Sequence, residues 1–170
     1  MKLNLIREKL QESIQNKFRN MSEIFNAGGR ENNKGFKFTK ESWKNKKYEI
    51  HYEIQYNKKS DAFFIRIDCH FIPYSESKNL TKEEYKSRYG EEEIKERLKF
   101  MEGISKEVSC ETDRIVYRNR WQYNALWCVM WDLSGCKDLD EAKNVILSIV
   151  SNTEPIIDNA LNELTLNKLT

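Results

Sequence analysis

Apolar and polar residues alternate along two stretches near the middle of the chain. In residues 48–56, and again in residues 63–71, apolar or aromatic side chains occupy every second position. Successive side chains of a β-strand point to opposite faces of a sheet, so this alternation predicts two antiparallel strands with one buried face. The intervening residues 57–62 have turn formers at both ends, and we therefore predict a β-hairpin.

The alternation also predicts how the two strands pair. A shift of one residue would turn the polar side chains toward the core, so burial selects one register. That register sets residues of complementary charge or hydrogen-bonding type opposite one another: Glu53 and Arg66, His51 and Asp68, and Glu49 and His70. Each such cross-strand pair stabilises a sheet by roughly 0.2–1 kcal/mol.

The polar face of this hairpin carries the candidate catalytic residues. Both histidines of the chain, His51 and His70, lie on it beside Asp68. Imidazole and carboxylate groups together can act as a general acid–base pair or bind a divalent metal. However, His and Glu two positions apart on a strand match no known metal-binding motif, and a sheet face in water carries alternating charges in any case. We therefore favour a polar face that is solvated or covered by a helix, and we predict no metal ligand and no cofactor.

The first 25 residues show helical periodicity. Apolar residues recur at steps of three and four from Leu3 to Phe25, which predicts one amphipathic helix over residues 3–25. Its apolar stripe is suited to cover the sheet; a dimer seam is the alternative, although only about three heptads are available. Residues 26–35, which contain glycines, end this helix, and residues 35–39 are predicted to form a short strand.

A capping box predicts a helical segment in the middle of the chain. Thr81 is the expected N-cap, and Glu84 is its partner three residues later. We predict that this helix reaches about Tyr89, breaks at Gly90 and resumes through three glutamates that complement the helix dipole.

A second cap, formed by Asp138 and Glu141, opens the C-terminal helical region. Apolar residues follow at helical spacing, but Pro155 should interrupt the helix. We therefore predict two nearly collinear helices, or one kinked helix, with Thr153 as the N-cap of the second piece.

Residues 113–121 and 125–133 are predicted to form two further strands. The second is almost continuously apolar, as expected of a central strand that is covered on both faces. Arg114, Arg118 and Arg120 share one parity on the first of these strands. If that strand neighbours the hairpin, these arginines would lie over the carboxylates of its polar face.

Charged and aromatic residues would then combine into one surface, which is the candidate binding surface of the protein. Its members are Glu49, Glu53, Arg66, Arg118, Arg120, Trp43 and Trp121. Arginine beside tryptophan can stack on bases and contact phosphates. We favour the alternative interpretation, a lattice of cross-strand salt bridges, because acidic partners are available.

Composition narrows the class of protein. A chain of 170 residues, 39% hydrophobic and 33% charged, is expected to form a single domain over residues 1–170 with a substantial core. The net charge of +2 is too balanced to indicate nucleic-acid binding from the bulk field alone. The four cysteines form no CxxC pair and no long apolar run occurs, which predicts a cytoplasmic protein that does not bind membranes.

Together these elements predict an α+β fold. The sheet is expected to be antiparallel with about five strands. An N-terminal helix, a middle helical segment and C-terminal helices are expected to pack largely on one face of it. No motif is specific enough to name a family.

For function, the sequence favours a non-enzymatic binding protein of the adaptor or inhibitor type, such as a phage or plasmid protein that blocks a larger enzyme. The reason is that no catalytic signature occurs in its required structural context. A protein is the favoured partner, and nucleic acid is the alternative. The competing hypothesis is a small metal- or Arg-assisted hydrolase, or a nucleic-acid- or nucleotide-binding module, that uses the polar face of the hairpin at residues 48–72.

Overall fold

The computed structural model describes residues 2–25, 34–44, 48–71, 82–110, 115–118 and 125–166. In chain order, its elements are helix α1 (Lys2–Ile14), strands β1 (Arg19–Phe25) and β2 (Lys34–Thr39), a 3-10 turn (Glu41–Trp43), strands β3 (Tyr48–Asn57) and β4 (Ala62–Phe71), helices α2 (Lys82–Tyr89) and α3 (Glu91–Cys110), strands β5 (Ile115–Arg118) and β6 (Ala125–Asp132), and helix α4 (Leu139–Leu166). The predicted α+β class is confirmed.

All the described strands belong to one antiparallel sheet, in the order β1-β2-β3-β4-β6-β5. The predicted hairpin lies at its centre, and its register is confirmed: Glu53 pairs with Arg66, His51 with Asp68, and Glu49 with His70. β6 lies between β4 and β5. The strand that is almost continuously apolar is therefore internal to the sheet, as predicted.

The N-terminal helix is shorter than predicted. α1 ends at Ile14, and β1 occupies the residues that were expected to continue it. Up to Ile14 the apolar stripe is helical and buried, but Phe18 then turns into the core and the backbone of β1 pairs with β2. Apolar residues keep their helical spacing of three and four positions across this turn, but the pairing of strands outweighs that local pattern. The described part of the sheet therefore has six strands, where about five were predicted.

The apolar face of the sheet packs against α1 and α4. Phe18 meets the rings of Phe38, Trp43 and Tyr52 edge-on, with ring centroids 5.3, 5.6 and 5.8 Å away. These rings share one buried cluster with the apolar residues of both helices. Edge-to-face ring pairs of this kind stabilise a core by roughly 0.5–1.5 kcal/mol beyond the burial of their area.

Tyr52 and Thr153 join the sheet to α4. Their hydroxyl oxygens lie 2.6 Å apart, and Thr153 also donates to the Ile149 carbonyl oxygen at 2.7 Å. Burial raises the pKa of Tyr52, so its hydroxyl stays protonated. α4 continues through Pro155 as one helix. Because Thr153 lies inside that helix and bonds back to Ile149, its predicted role as an N-cap is wrong.

Lys40 links the end of β2 to α4. Its Nζ lies 2.6 Å from both Glu154 Oε1 and Asp158 Oδ2, and the Trp43 indole N–H donates to Asp158 Oδ1 at 2.6 Å. Partial burial acts to lower the pKa of Lys40, but the hydrogen bonds to Asp158 and Glu154 outweigh it, so the pKa is raised overall. These contacts hold the turn that carries Trp43 against the helix.

Two predicted helix boundaries are confirmed. Asp138 Oδ1 accepts the backbone N–H of Glu141 at 2.8 Å, as expected for an N-cap. Gly90 separates α2 from α3 and has a φ of +76°, a conformation that residues with a side chain rarely adopt. The predicted N-cap at Thr81 lies outside the described residues.

Gly90 and Gly103 provide a matched test of this break. An added Cβ meets nothing within 4 Å at either position, so only backbone preference distinguishes them. We expect Gly90→Ala to lower the free energy of unfolding by about 1–2 kcal/mol, because alanine is strained at positive φ. Gly103→Ala, inside α3, should raise it by about 0.5–1 kcal/mol. Urea denaturation with unchanged m-values measures both, and a shift of the same sign in both variants would contradict this account.

Candidate functional site

The polar face of the central hairpin is buried. His51, Glu53 and Asp68 have relative exposures of 2%, 3% and 0%. Gln55 is buried beside them, and the Arg66 side chain keeps 18% of its surface exposed. We call these five residues the buried polar cluster. Of the two expectations for this face, solvated or covered, burial excludes the solvated one for these residues.

Arg66 binds both carboxylates of the buried polar cluster. Its Nη2 lies 2.8 Å from Glu53 Oε2 and also contacts Asp68 Oδ2. The register explains this geometry, because Glu53 is directly opposite Arg66 while Asp68 is two positions further along the same strand and face. Gln55 adds a hydrogen bond from Nε2 to Glu53 Oε1 at 2.7 Å. One guanidinium nitrogen therefore bridges two buried carboxylates.

Glu49 and Lys37 lie beside the buried polar cluster and are more exposed than its carboxylates. Lys37 Nζ is 2.8 Å from Glu49 Oε1, and that same oxygen lies 4.0 Å from His51 Nδ1. The second distance is too long for a hydrogen bond, but it places a carboxylate next to the imidazole. Lys37 was not predicted as a member of this face. Its position between Phe36 and Phe38 was the signal that could have found it, since alternation puts it on the opposite side from those rings.

The donor atoms of His51, Glu53 and Asp68 converge. One ligand-type atom from each lies within 4.8 Å of the other two. An imidazole nitrogen with two carboxylate oxygens is a donor set that divalent transition metals accept. The same groups could exchange protons with a substrate only if that substrate reached into the buried polar cluster.

The other residues predicted for catalysis or binding do not belong to the buried polar cluster. His70 pairs with Glu49 in the register of β3 and β4. Arg118 pairs with Cys128 of β6, and Cys128 pairs with Asp68, so one strand separates Arg118 from the hairpin. β5, the strand that carries Arg118, is therefore not a neighbour of the hairpin. Arg114, Arg120 and Trp121 lie outside the described residues.

Trp43 does not belong to an accessible surface. It is 0% exposed and packs in the aromatic core, on the face of the sheet opposite the buried polar cluster. Trp43 was predicted to lie on the binding surface, but its indole N–H donates to Asp158 Oδ1. Burial thus removes both Trp43 and Glu53 from the surface predicted for binding.

Comparison with known proteins adds no assignment to this geometry. No protein-family model, curated protein or solved structure matches the chain. Among the described helices, none has the length and apolar character needed to cross a bilayer.

Arg66 should contribute far more to stability than an arginine in a surface ion pair. We expect Arg66→Met to lower the free energy of unfolding by about 3–5 kcal/mol, because it removes the cation shared by Glu53 and Asp68. Arg7→Met is the matched control, since Arg7 binds Glu23 at 2.8 Å on the exposed surface and should cost at most about 1 kcal/mol. Chemical denaturation of both variants measures the difference. Similar small losses would mean that the buried polar cluster is solvated.

Proposed function

We propose that this protein is a non-enzymatic binding protein, of the adaptor or inhibitor type, whose partner is another protein. The observation that carries the proposal is the burial of its reactive groups. His51, Glu53 and Asp68 are withdrawn from solvent, and Arg66 binds both carboxylates. A general base has to come within about 2.6–3.2 Å of the proton that it removes. A substrate would have to open the centre of the sheet to meet that requirement.

The cleft between α1 and strands β1 and β2 also favours a binding role. It is lined by residues that include Leu3, Arg7, Glu23 and Phe36, and it has a volume of about 150 Å³. Small-molecule sites usually measure about 300–1,000 Å³. This cleft mixes apolar and oppositely charged residues, as protein-binding surfaces do, and it does not include the residues of the buried polar cluster.

β1 gives a protein partner a place to bind. It stands at one end of the sheet, and among the described residues it pairs with β2 alone. A terminal strand has one row of backbone N–H and C=O groups that does not face its neighbour, and an extended segment of a partner can pair with that row. Glu23 of β1 is exposed and also lines the adjoining cleft. We therefore place the proposed contact at β1 and this cleft.

Proline substitutions in β1 test this contact. Ser22 and Glu23 pair with consecutive residues of β2, and neighbouring residues of a strand direct their N–H groups to opposite sides. Of Ser22→Pro and Glu23→Pro, one should therefore destabilise the sheet and the other should leave it folded. We expect the folded variant to bind a captured partner about tenfold more weakly, since it loses an edge donor. Glu107→Gln, an exposed substitution outside β1 and the cleft, should bind like the parent.

Binding and hydrolysis assays separate this proposal from its alternatives. The partner is identified by affinity capture and mass spectrometry, and its binding is then measured with purified components. Equal binding by the folded proline variant would exclude β1 as the contact. Binding of generic RNA or DNA that falls steeply with salt would support the nucleic-acid alternative. Hydrolysis of a phosphodiester that disappears in a folded His51→Ala variant would support the hydrolase.

A further inference from the structure

We infer that His51, Glu53 and Asp68 form a binding site for one divalent first-row transition-metal ion. This inference goes beyond the proposed function and does not depend on it. It concerns the interior of the sheet, whereas the proposed partner contact lies at β1.

The two carboxylates of this set converge. A single atom, Arg66 Nη2, contacts both Glu53 Oε2 and Asp68 Oδ2. Two oxygens that already contact one positively charged atom can also be ligands of one metal ion. The third donor, from His51, completes a set whose ligand atoms lie within 4.8 Å of one another.

Ligand distances set the adjustment that metal binding requires. Zinc binds nitrogen and oxygen ligands at about 2.0–2.2 Å in tetrahedral geometry, so two ligands of one ion lie roughly 3.3–3.6 Å apart. The three ligand atoms lie within 4.8 Å of one another, so the widest separation has to close by up to about 1.5 Å. Rotations of the three side chains can supply a movement of this size.

The donor chemistry favours a particular class of ion. Imidazole nitrogen suits zinc, iron and related transition metals, whereas magnesium and calcium prefer oxygen ligands throughout. Two carboxylates also carry the charge that a divalent ion neutralises. Zn²⁺, Mn²⁺ and Fe²⁺ fit this set better than Mg²⁺ or Ca²⁺.

Neighbouring residues are placed to orient these ligands. The Gln55 amide donates to Glu53 Oε1 at 2.7 Å and leaves Oε2 directed at Arg66. The Glu49 carboxylate lies 4.0 Å from His51 Nδ1. A metal-bound histidine usually directs its other ring nitrogen at a carboxylate or carbonyl, so a movement of Glu49 into hydrogen-bond distance of Nδ1 would leave Nε2 of His51 for the ion.

Arg66 is the natural competitor of the ion. Its guanidinium contacts the same carboxylate oxygens, and its side chain has 18% of its surface exposed, compared with 4% and 1% for Glu53 and Asp68. An arriving ion can therefore displace the guanidinium toward solvent while both carboxylates stay in place. Competition of this kind weakens metal binding by the parent protein, and removal of the arginine should strengthen it.

Metal titration of the full chain tests the inference. We expect isothermal titration calorimetry to give one Zn²⁺ per chain for the parent protein, and Mn²⁺ to bind at the same site. Glu53→Gln and Asp68→Asn, which keep the shape of each side chain, should weaken binding by about tenfold or more. Arg66→Met should strengthen it by about tenfold or more, because a nearby positive charge is removed. Glu23→Gln removes an exposed carboxylate outside the buried polar cluster and should leave the affinity unchanged.

NMR of the two histidine rings keeps the test decisive if Arg66→Met fails to fold. Zn²⁺ should shift the ring nitrogens of His51 in the parent protein, and Asp68→Asn should abolish that shift. The inference is overturned if the parent protein binds no ion, or if Glu53→Gln and Asp68→Asn bind the ion as tightly as the parent protein does. Partner capture is run in the presence of EDTA, so the failure of one proposal leaves the other standing.

Discussion

The fold depends on keeping charged side chains paired at the centre of a sheet that is buried on both sides. Residues 50–55 of β3 are all buried, so its apolar and polar faces are both withdrawn from water. An ion in such a place loses several kcal/mol of solvation. Arg66 offsets that cost for Glu53 and Asp68 together. A slip of one residue would break this arrangement and also expose the aromatic core, so both faces specify the same register.

The features that could be predicted from the sequence are those that depend on residues close together in the chain. Alternation placed Glu53 opposite Arg66 and His51 opposite Asp68, because a strand has only two faces and one of them had to be apolar. The burial of the polar face depends on segments distant in the chain, and local pattern carries no information about them. The same limit explains why β1 was not predicted to be a strand. Helical spacing continued past Ile14, and only pairing with β2 distinguishes a strand from a longer helix there.

Placement of charge divides the molecule into an enclosed part and an accessible part. The imidazole and carboxylates of the buried polar cluster are beyond the reach of a large ligand, although a single ion is small enough to exchange with the guanidinium. The accessible part includes the terminal strand β1 and the cleft beside it, where Arg7 and Glu23 form an ion pair at the surface. On these two proposals, the interior of the sheet binds an ion and its end binds another chain.

The positions of the ion pairs along the chain have a consequence for the order of folding. Arg66 reaches partners 2 and 13 residues away, whereas Lys40 reaches Asp158 across 118 residues. Short loops close with a smaller loss of entropy, and hairpins form within about 1–10 μs. We therefore expect Arg66 to meet its carboxylates while the hairpin is still hydrated, so that water is removed from ions that are already paired. Substitutions in the hairpin should accordingly slow folding, and those at Lys40 or Asp158 should mainly accelerate unfolding, a difference that φ-value measurements resolve.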